Sequence, residues 1–390
     1  MKILVLLQFP QQLEQYKCVL EKLDDAEITV LTDTTPAYSN KDRWHREGAW
    51  KNKIRIWKSP VFPHPWYYIL ARNIDDARFF YWKLKEQSEY YKKRATKEWP
   101  AYLPLAWMKQ FYKPHKAIRF DFAKLNPDLV LTSSLAFRPF HADQDFAIEA
   151  KRCGVPVWSL IPNWDALTTK ASMYPKPDRV FCWNDFQENE LVKYHDILKE
   201  KIMKVGAFSF ERWLEKRRST PRREFCRKWD LDEDRPFVTY LSSSNSIAGD
   251  EVDGVTQFAD YCMIKNIQVV VRAHPDKAEK LSKIPGTTCI PRAGENVTDE
   301  EAFQLAYDTY FHSSGLYAIN TSAMIEAMLV GKPVFGMDTN KKDVTERCLH
   351  YQQLEPWLNG EGYKAIRKWL GIGDRLPSDI IVEEIKKLYN

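Results

Sequence analysis

Short, fully apolar segments alternate with helix-forming segments along most of the chain, and this alternation constrains the fold more than any other feature of the sequence. The segments ILVLL at 3–7, EITVLT at 27–32 and PDLVLT at 127–132 are rich in aliphatic and β-branched residues and too short for helices. Strands that are apolar on both faces are typical of parallel sheets covered by helices on each side. The pattern therefore predicts an α/β fold with parallel sheets.

The alternation stops at residues 209–235 and then restarts, which divides the chain into two halves. Residues 209–235 are dense in charge and have no long apolar run, so they are predicted to be a linker with short helices. We expect an N-terminal Rossmann-like domain over 1–208, a C-terminal domain over 236–375, and a final helix within 376–390 that packs back on the first domain. The C-terminal half includes a segment at 309–312 that is predicted to be a strand.

Residues 51–120 hold much of the positive charge and many of the aromatic side chains. They contain 16 Lys and Arg against 5 Asp and Glu, and 17 of the 53 aromatic residues, whereas the whole chain has a net charge of only +5. We predict a helical insertion in the N-terminal domain, with the aromatic residues in its core. A second interpretation is a docking surface for anionic lipid headgroups at the inner membrane or for an acidic glycan. Nucleic acid is not an expected partner, because no RNA-binding motif is present.

The composition excludes several classes of protein. Apolar residues make up 44% and charged residues 28% of the chain, which is typical of a globular protein rather than a disordered one. The seven cysteines are odd in number and form no CxxC pair, so neither a disulfide framework nor a zinc site is expected. The apolar run at 3–7 is too short for a signal peptide or a membrane span. We therefore expect a cytoplasmic protein that touches the membrane, if at all, from its surface.

Two polar segments follow predicted strands in the C-terminal half, at the carboxyl ends where α/β proteins bind ligands. The segment RAHPD places Arg272 and His274 directly after the strand IQVVV. An Arg can bind a phosphate through two hydrogen bonds, and a His can donate to a phosphate oxygen. The segment LSSSNSIAGDE places Ser243 and Ser244 between a strand and a helix. Backbone N–H groups there can bind an anion, or the hydroxyls can simply cap the helix.

A third segment, NTSAMIEAMLVGKPVFG, begins where another predicted strand ends. Thr321 or Ser322 is expected to cap a short helix, whose N-terminus can bind an anion. Glu326 lies one turn after Ser322 and is placed to contact a ribose hydroxyl. The segment as a whole predicts a nucleotide site in the C-terminal half.

Other acidic residues of this half are predicted to have no role in a site. Glu251 and Asp253 fall in the first turn of a helix, where acids are favoured by the helix dipole, and are expected to be solvated. The pair Asp230 and Asp232 has the spacing of a metal-binding DxD motif but lies in the charged linker. We therefore expect no metal site and no metal dependence.

The spacing from RAHPD to NTSAMIEAMLVGKPVFG resembles the donor-binding half of GT-B glycosyltransferases, over about residues 155–350. The nearest families are bacterial capsule-polysaccharide transferases and CDP-glycerol glycerophosphotransferase-like proteins, and the non-hydrolysing UDP-GlcNAc 2-epimerases share the fold. The resemblance implies two Rossmann-like domains facing a central cleft. It also implies that the nucleotide phosphates and ribose are held by five residues: Arg272, His274, Thr321, Ser322 and Glu326.

The N-terminal half is expected to supply the acceptor site and a catalytic base. The segment IPNWDALTTK follows the predicted strand VPVWSL and brings Asn163, Trp164 and Lys170 to the acceptor side. The transferases that the chain resembles have a His as the proposed base in the corresponding loop, whereas this chain has Asp165. A carboxylate can accept the proton of an acceptor hydroxyl, with its pKa tuned by burial and by Lys170. In an alternative interpretation, Asp165 only caps a helix that begins at Ala166.

Taken together, these features predict a metal-independent glycosyltransferase without a bound cofactor. It would move a sugar from a nucleotide-activated donor to a glycan or lipid-linked acceptor in surface-polysaccharide synthesis. One alternative is a UDP-GlcNAc 2-epimerase-like enzyme, which requires more acid–base residues around the donor sugar. The other is a non-catalytic GT-B binding protein, which the missing loop histidine allows.

Overall fold

The computed structural model of the protein describes residues 1–7, 12–32, 54–58, 62–87, 92, 99–136, 142–215, 217–244, 248–292, 299–337 and 353–388. The chain forms two compact units, of which the first combines Met1–Arg212 with Trp369–Asn390 and the second is Trp213–Lys368. Each unit is built on a sheet in which all paired strands run parallel. The α/β class with parallel sheets is therefore confirmed.

The sheet of the first unit has seven strands in the order β3-β2-β1-β4-β5-β6-β7. The strands are β1 Lys2–Leu7, β2 Glu27–Thr32, β3 Ile54–Lys58, β4 Leu129–Thr132, β5 Val157–Leu160, β6 Arg179–Cys182 and β7 Ile202–Lys204. β1 pairs with β2 on one side and β4 on the other, and its last five residues are buried. Its unbroken apolar run is explained by this burial on both faces.

The sheet of the second unit has five strands in the order β10-β9-β8-β11-β12. The strands are β8 Phe237–Leu241, β9 Gln268–Arg272, β10 Thr287–Cys289, β11 Leu316–Ala318 and β12 Val334–Gly336. β8 lies at the centre and all five of its residues are buried. The sheet therefore places the segments that follow β8, β9 and β11 next to one another.

The α-helices cover these sheets and supply most of the remaining core. They are α1 Gln12–Leu20, α2 Trp66–Arg78, α3 Lys116–Leu125, α4 Ala142–Arg152, α5 Asp185–His195, α6 Arg222–Lys228, α7 Val252–Ile264, α8 Ala278–Leu281, α9 Asp299–His312, α10 Ala323–Leu329, α11 Ile366–Trp369 and α12 Pro377–Lys387. None of the helices in the described ranges combines the length and the apolar character that crossing a bilayer requires.

The C-terminal helix α12 packs against the first unit. Ile381 and Ile385, one turn apart, are buried in the same hydrophobic cluster as residues of α1 and β1. At its start, Lys22 Nζ donates to Ser378 Oγ and to Asp379 Oδ1, each over 2.6 Å. The helix is therefore attached by an apolar stripe along one face and by polar contacts at its N-terminus.

The prediction of a helical insertion over 51–120 is wrong for residues 54–58. They form β3, which extends the sheet by pairing in parallel with β2. The sequence IRIWK contains two β-branched residues and a tryptophan, residue types that favour strands. The later described residues are mainly helical: α2 continues into a π-helical turn at Phe79–Leu84, and 3-10 segments at Trp99–Tyr102 and Ala106–Phe111 precede α3.

The strand predicted at 309–312 is instead the last turn of α9. This 14-residue helix buries Phe303, Ala306, Tyr307 and Tyr310, which are spaced three and four residues apart. The local sequence TYF favours a strand, but the amphipathic pattern of the whole segment overrides that local preference. As a residue of this helix, Tyr310 is buried in the interior of the second unit.

Most of the charged segment that is predicted to be a linker with short helices, residues 213–235, belongs to the second unit. Phe225 and Trp229, on and just after α6, are buried against Phe237 of β8 and Val270 of β9. Most of its described charged residues are exposed around these few apolar anchors. A segment dominated by charge can therefore still close one end of a hydrophobic core.

Candidate functional site

The carboxyl edge of the second unit's sheet brings together the three polar segments singled out from the sequence. Leu241 pairs with Arg272 on one side and with Ala318 on the other, so β8, β9 and β11 end at the same level. The backbone N–H of Asn320 donates to Ser243 Oγ over 3.2 Å, which ties the first segment directly to the third. The predicted residues Ser243, Ser244, Arg272, His274, Thr321 and Ser322 therefore all lie at this edge.

A buried ion pair lies beneath the first two of these segments. Glu251 Oε2 accepts from Lys277 Nζ over 2.5 Å and from Ser242 Oγ over 2.8 Å. Its Oε1 accepts from the Tyr240 hydroxyl over 2.7 Å and from the backbone N–H of Ser243 over 3.2 Å. The prediction that Glu251 is solvated is wrong, because its carboxylate points inward and is almost completely buried.

The Glu251–Lys277 pair links two loops of the candidate site. Lys277 ends the short 3-10 turn Pro275–Lys277 that follows His274, whereas Ser242 and Ser243 begin the loop after β8. Two charges that are removed from water need each other and additional hydrogen bonds, so the pair holds the two loops at one separation. The neighbouring Asp253 is exposed and fits the prediction of a solvated acid.

His274 is oriented by the residue two positions later. Its Nδ1 lies 2.5 Å from Asp276 Oδ1 and 3.4 Å from the backbone nitrogen of Asp276. The backbone N–H of Asp276 donates to Nδ1, which therefore acts as an acceptor. The ring is then fixed with Nε2 as the nitrogen available to a ligand, and the side chain is partly exposed.

Arg272 and Glu326 meet through a tyrosine that the sequence analysis did not single out. The Tyr310 hydroxyl donates to Glu326 Oε2 over 3.0 Å, and the Arg272 guanidinium carbon lies 5.6 Å from the centre of the Tyr310 ring. Burial, with a smaller contribution from the Glu326 carboxylate, raises the pKa of Tyr310 well above its usual value, so the phenol stays a neutral donor. Arg272 Nη1 is buried and has no hydrogen-bond partner among the described residues.

Ser322 is the N-cap residue of α10, but its side chain makes no capping hydrogen bond. It is exposed, and Thr321 beside it is partly buried. The helix begins with backbone hydrogen bonds from Met324 to Thr321 and from Ile325 to Ser322. The expected position of the cap is correct, whereas the expected side-chain bond is not made. No group of three or more His, Cys, Asp or Glu suited to a metal ion occurs within the described ranges.

The predicted acceptor-side residues lie in the first unit, in the loop that follows β5. The Thr169 hydroxyl lies 2.8 Å from Asp165 O and 3.1 Å from Asp165 Oδ2, so Asp165 closes a local turn. Its carboxyl group and Lys170 are partly exposed. No helix begins at Ala166, because the residues there form consecutive turns. The alternative interpretation of Asp165 as a helix cap is therefore wrong.

The start of this loop is held by its neighbours in the fold. Gln187 Nε2 donates to Asn163 O and Gln15 Nε2 donates to Asn163 Oδ1, each over 3.1 Å. The Trp164 ring is buried and contacts the edge of Trp369, with 6.3 Å between ring centres. Asn163 and Trp164 are thus engaged in fixing the loop before Asp165.

The end of the loop is held by His195, a residue that sequence reasoning missed. Its Nε2 donates to Leu167 O over 2.6 Å, and its Nδ1 accepts from the backbone N–H of Met173 over 3.1 Å. Burial, reinforced by the charge of Lys176, lowers the pKa of His195 to about 3, so the ring is neutral. A histidine at the C-terminus of α5 gave no signal in the sequence, because both of its partners are more than twenty residues away.

We expect His195 to make the protein less stable in acid. Its pKa falls from 6.5 to about 3 on folding, so below pH 6.5 the unfolded chain binds a proton that the folded chain does not. The free energy of unfolding should therefore fall with decreasing pH, by up to about 1.4 kcal/mol per pH unit from this residue. Urea unfolding of the His195→Leu variant should lack this slope, whereas the exposed His115→Leu variant should keep it. Equal slopes in both variants would contradict the assignment.

Comparison with known proteins identifies the fold. The UDP-GlcNAc 2-epimerase from Neisseria meningitidis bound to UDP-GlcNAc is similar with a TM-score of 0.55 and 14% identity, over 99% of this chain and 100% of that one. A glycosyltransferase from Rickettsia africae has a TM-score of 0.53 and 13% identity, over 100% of this chain and 99% of that one. The UDP-GlcNAc 2-epimerase from Methanocaldococcus jannaschii has a TM-score of 0.53 and 11% identity, over 99% and 100%.

These similarities show that the two parallel α/β units have the two-domain GT-B fold, and the predicted fold class is confirmed. No protein-family model matches the chain, and no curated protein matches it in sequence. The three similar structures are epimerases and a glycosyltransferase, so the resemblance to capsule transferases and glycerophosphotransferases stays a prediction.

Proposed function

We propose that the protein is a glycosyltransferase that uses a nucleotide-activated sugar. The observation that supports this most directly is the convergence of Ser243, His274 and the Arg272–Tyr310–Glu326 group at one sheet edge of the second unit. Proteins with this fold bind ligands at such edges. The similar structures from N. meningitidis and R. africae are a sugar-nucleotide epimerase and a glycosyltransferase, and both fit a nucleotide-sugar substrate.

In this proposal the donor's phosphates bind between Arg272, His274 and the loop that begins with Ser243 and Ser244. An anion would give Arg272 Nη1 the partner that it lacks, and His274 Nε2 would donate to a phosphate oxygen. Glu326, oriented by Tyr310, would accept from the ribose hydroxyls. Fixed donors around the leaving phosphate lower the barrier to transfer without a metal, because the charge that develops there is already compensated.

The acceptor would be a glycan or a lipid-linked sugar, bound by the loop after β5 in the first unit. Asp165 would take the proton from the acceptor hydroxyl, and Asn163, Trp164 and Lys170 would shape its surroundings. We place the reaction in surface-polysaccharide synthesis, in the cytoplasm. These assignments rest on the position of the loop at the carboxyl end of β5 and on the resemblance to GT-B transferases.

A second candidate is a sugar-nucleotide 2-epimerase, because two of the similar structures have that activity. An epimerase needs acid and base groups at the donor sugar itself. Glu251 and Lys277 of the second unit are engaged in a buried ion pair and are not available for that role. Incubation with UDP-GlcNAc and no acceptor separates the two activities. Epimerised product would favour the second candidate, and nucleotide binding without any turnover would favour a non-catalytic protein.

The donor site is tested by thermal unfolding with CMP, CDP, UMP, UDP and GDP. A nucleotide at about 100 times its Kd should raise the free energy of unfolding by about 2.7 kcal/mol. We expect one nucleotide to do so in the wild type and to fail in the His274→Ala variant, whereas the control His115→Ala, in the other unit, should respond like the wild type. No response to any nucleotide would refute the donor site.

A further inference from the structure

Exposed aromatic side chains are concentrated in one part of the first unit. Among the described residues ten aromatic side chains are strongly exposed, and seven of them lie between residues 66 and 120, with exposed fractions from 52% to 71%. These seven include every exposed tryptophan of the described ranges. The expectation that the aromatic residues of 51–120 form an internal core therefore applies to only some of them. They are Trp66, Trp82, Trp99, Tyr102, Trp107, Phe111 and Phe120.

Several of these rings lie side by side. Trp99 and Tyr102 are three residues apart in a 3-10 segment, so their side chains leave it on the same side. The Tyr102 ring lies 6.1 Å from the ring of Trp82. In the next 3-10 segment the rings of Trp107 and Phe111 lie 5.5 Å apart. We call these five residues the aromatic surface.

Half-buried polar contacts fix the 3-10 segments that carry most of the aromatic surface. Arg78 of α2 donates to Ala101 O over 3.1 Å and to Leu103 O over 2.8 Å, and its guanidinium group lies 5.2 Å from the Trp82 ring centre. Lys109 of the second segment pairs with Asp75 of α2. Both 3-10 segments are therefore fixed to α2 while their aromatic side chains stay in contact with water.

The chain around the aromatic surface is strongly basic. Residues 99–120 contain no Asp or Glu in 22 positions. Lys113, Lys116 and Arg119 are exposed and form no ion pair within the described part of the chain. A solvated basic face is common. In the isolated chain, however, the exposed aromatic side chains next to it in the sequence stay in contact with water. The combination points to a partner that is both anionic and able to take up aromatic rings.

We infer that the aromatic surface and the cations Lys113, Lys116 and Arg119 dock on an anionic phospholipid bilayer. Trp and Tyr are favoured at the level of the lipid headgroups, where the ring is buried and its polar edge stays hydrated. Lys and Arg near the surface are attracted by the negative headgroups. Reversible binding of this kind needs both contributions, and the chain provides both in one segment.

The inference goes beyond sugar transfer and does not depend on it. Binding to vesicles requires neither donor nor acceptor, so a failure of the vesicle experiment leaves the nucleotide experiment intact, and the reverse is also true. If both experiments give the expected result, the aromatic surface would keep the enzyme at the membrane, where lipid-linked acceptors lie.

The test is co-sedimentation of the full chain with vesicles of phosphatidylcholine alone or mixed equally with phosphatidylglycerol. We expect binding to the anionic vesicles at low salt and release at high salt. A cation at an anionic surface contributes about fivefold in affinity, so the triple variant Lys113→Glu, Lys116→Glu, Arg119→Glu should bind at least about 100-fold more weakly. The double variant Trp99→Ser, Tyr102→Ser should lose at least about tenfold.

The control is Tyr261→Ser, which removes a ring of the second unit with an exposed fraction of 61%, close to the 64% of Trp99 and 63% of Tyr102. It should bind vesicles like the wild type, and all variants should keep the wild-type unfolding midpoint because the changed side chains are exposed. The inference is overturned if the wild type stays in the supernatant at low salt, or if the double variant binds as well as the control. It is also overturned if the double variant abolishes self-association instead, since a second copy would then be the partner.

Discussion

Replacing Asp165 by Asn should lower the rate of sugar transfer by a factor of about 10²–10⁴, the usual contribution of a general base. The amide has the shape of the carboxylate and can still accept from the Thr169 hydroxyl, so the loop after β5 should keep its conformation. It cannot take a proton from the acceptor. The measurement is the initial rate of transfer at saturating donor, with nucleotide binding followed separately by thermal unfolding.

The matched control is Asp185→Asn, which changes an exposed aspartate that follows β6 and pairs with Lys204. It should transfer sugar at the wild-type rate, and the Asp165 variant should bind nucleotide as well as the wild type does. If the Asp165 variant retains more than about a third of the wild-type rate, the base is another group. A parallel loss of nucleotide binding would indicate instead that the substitution disturbs the fold.

The Glu251→Ala variant should lose about 3–5 kcal/mol of its free energy of unfolding, because it leaves Lys277 charged and unpaired in the interior. Three further donors, from Tyr240, Ser242 and Ser243, lose their acceptor at the same time. The same variant should lose nucleotide binding even where it is still folded, because the loops that carry Ser243 and His274 are no longer held together. Urea unfolding and the nucleotide thermal shift measure the two effects.

An exposed ion pair of the same unit is the control for Glu251. Glu279 and Lys283 lie 3.0 Å apart on the surface, where water screens the interaction. Glu279→Ala should therefore unfold at the wild-type urea midpoint. If Glu251→Ala also unfolds at that midpoint, the buried pair does not anchor the site. If it unfolds earlier but still binds nucleotide, its role is confined to stability.

The strands of the two sheets were easier to predict from the sequence than the residues of the candidate site. Apolar runs such as ILVLL and FVTYL are unmistakable as buried strands, and the polar segments that follow β8, β9 and β11 are found at one sheet edge. Two segments were misjudged, and in both the local composition was misleading. The basic and aromatic residues around β3 concealed this short strand, and the sequence TYF concealed the last turn of α9.

The candidate site was predictable only in part. Arg272 ends β9, and Ser243, His274 and Thr321 come shortly after strand ends, so the parallel topology alone brings them to one edge. Asp165 follows β5 in the same way in the other unit. The residues that orient these groups could not be found, because a partner's identity depends on contacts between distant parts of the chain. They are Tyr310, which bonds Glu326; Lys277, which pairs with Glu251; and His195, which bonds Leu167 and Met173.

The sequence by itself determined the α/β class and the polar segments that lie at the sheet edges. The reason is that the length and the period of apolar runs are local properties of the sequence. Only the tertiary structure decided which charged and polar residues are buried. Glu251 and Asp253 stand two residues apart at the start of one helix, yet one carboxylate is enclosed by four donors and the other faces water. Burial is decided by what packs against a side chain, and that is a property of the folded chain as a whole.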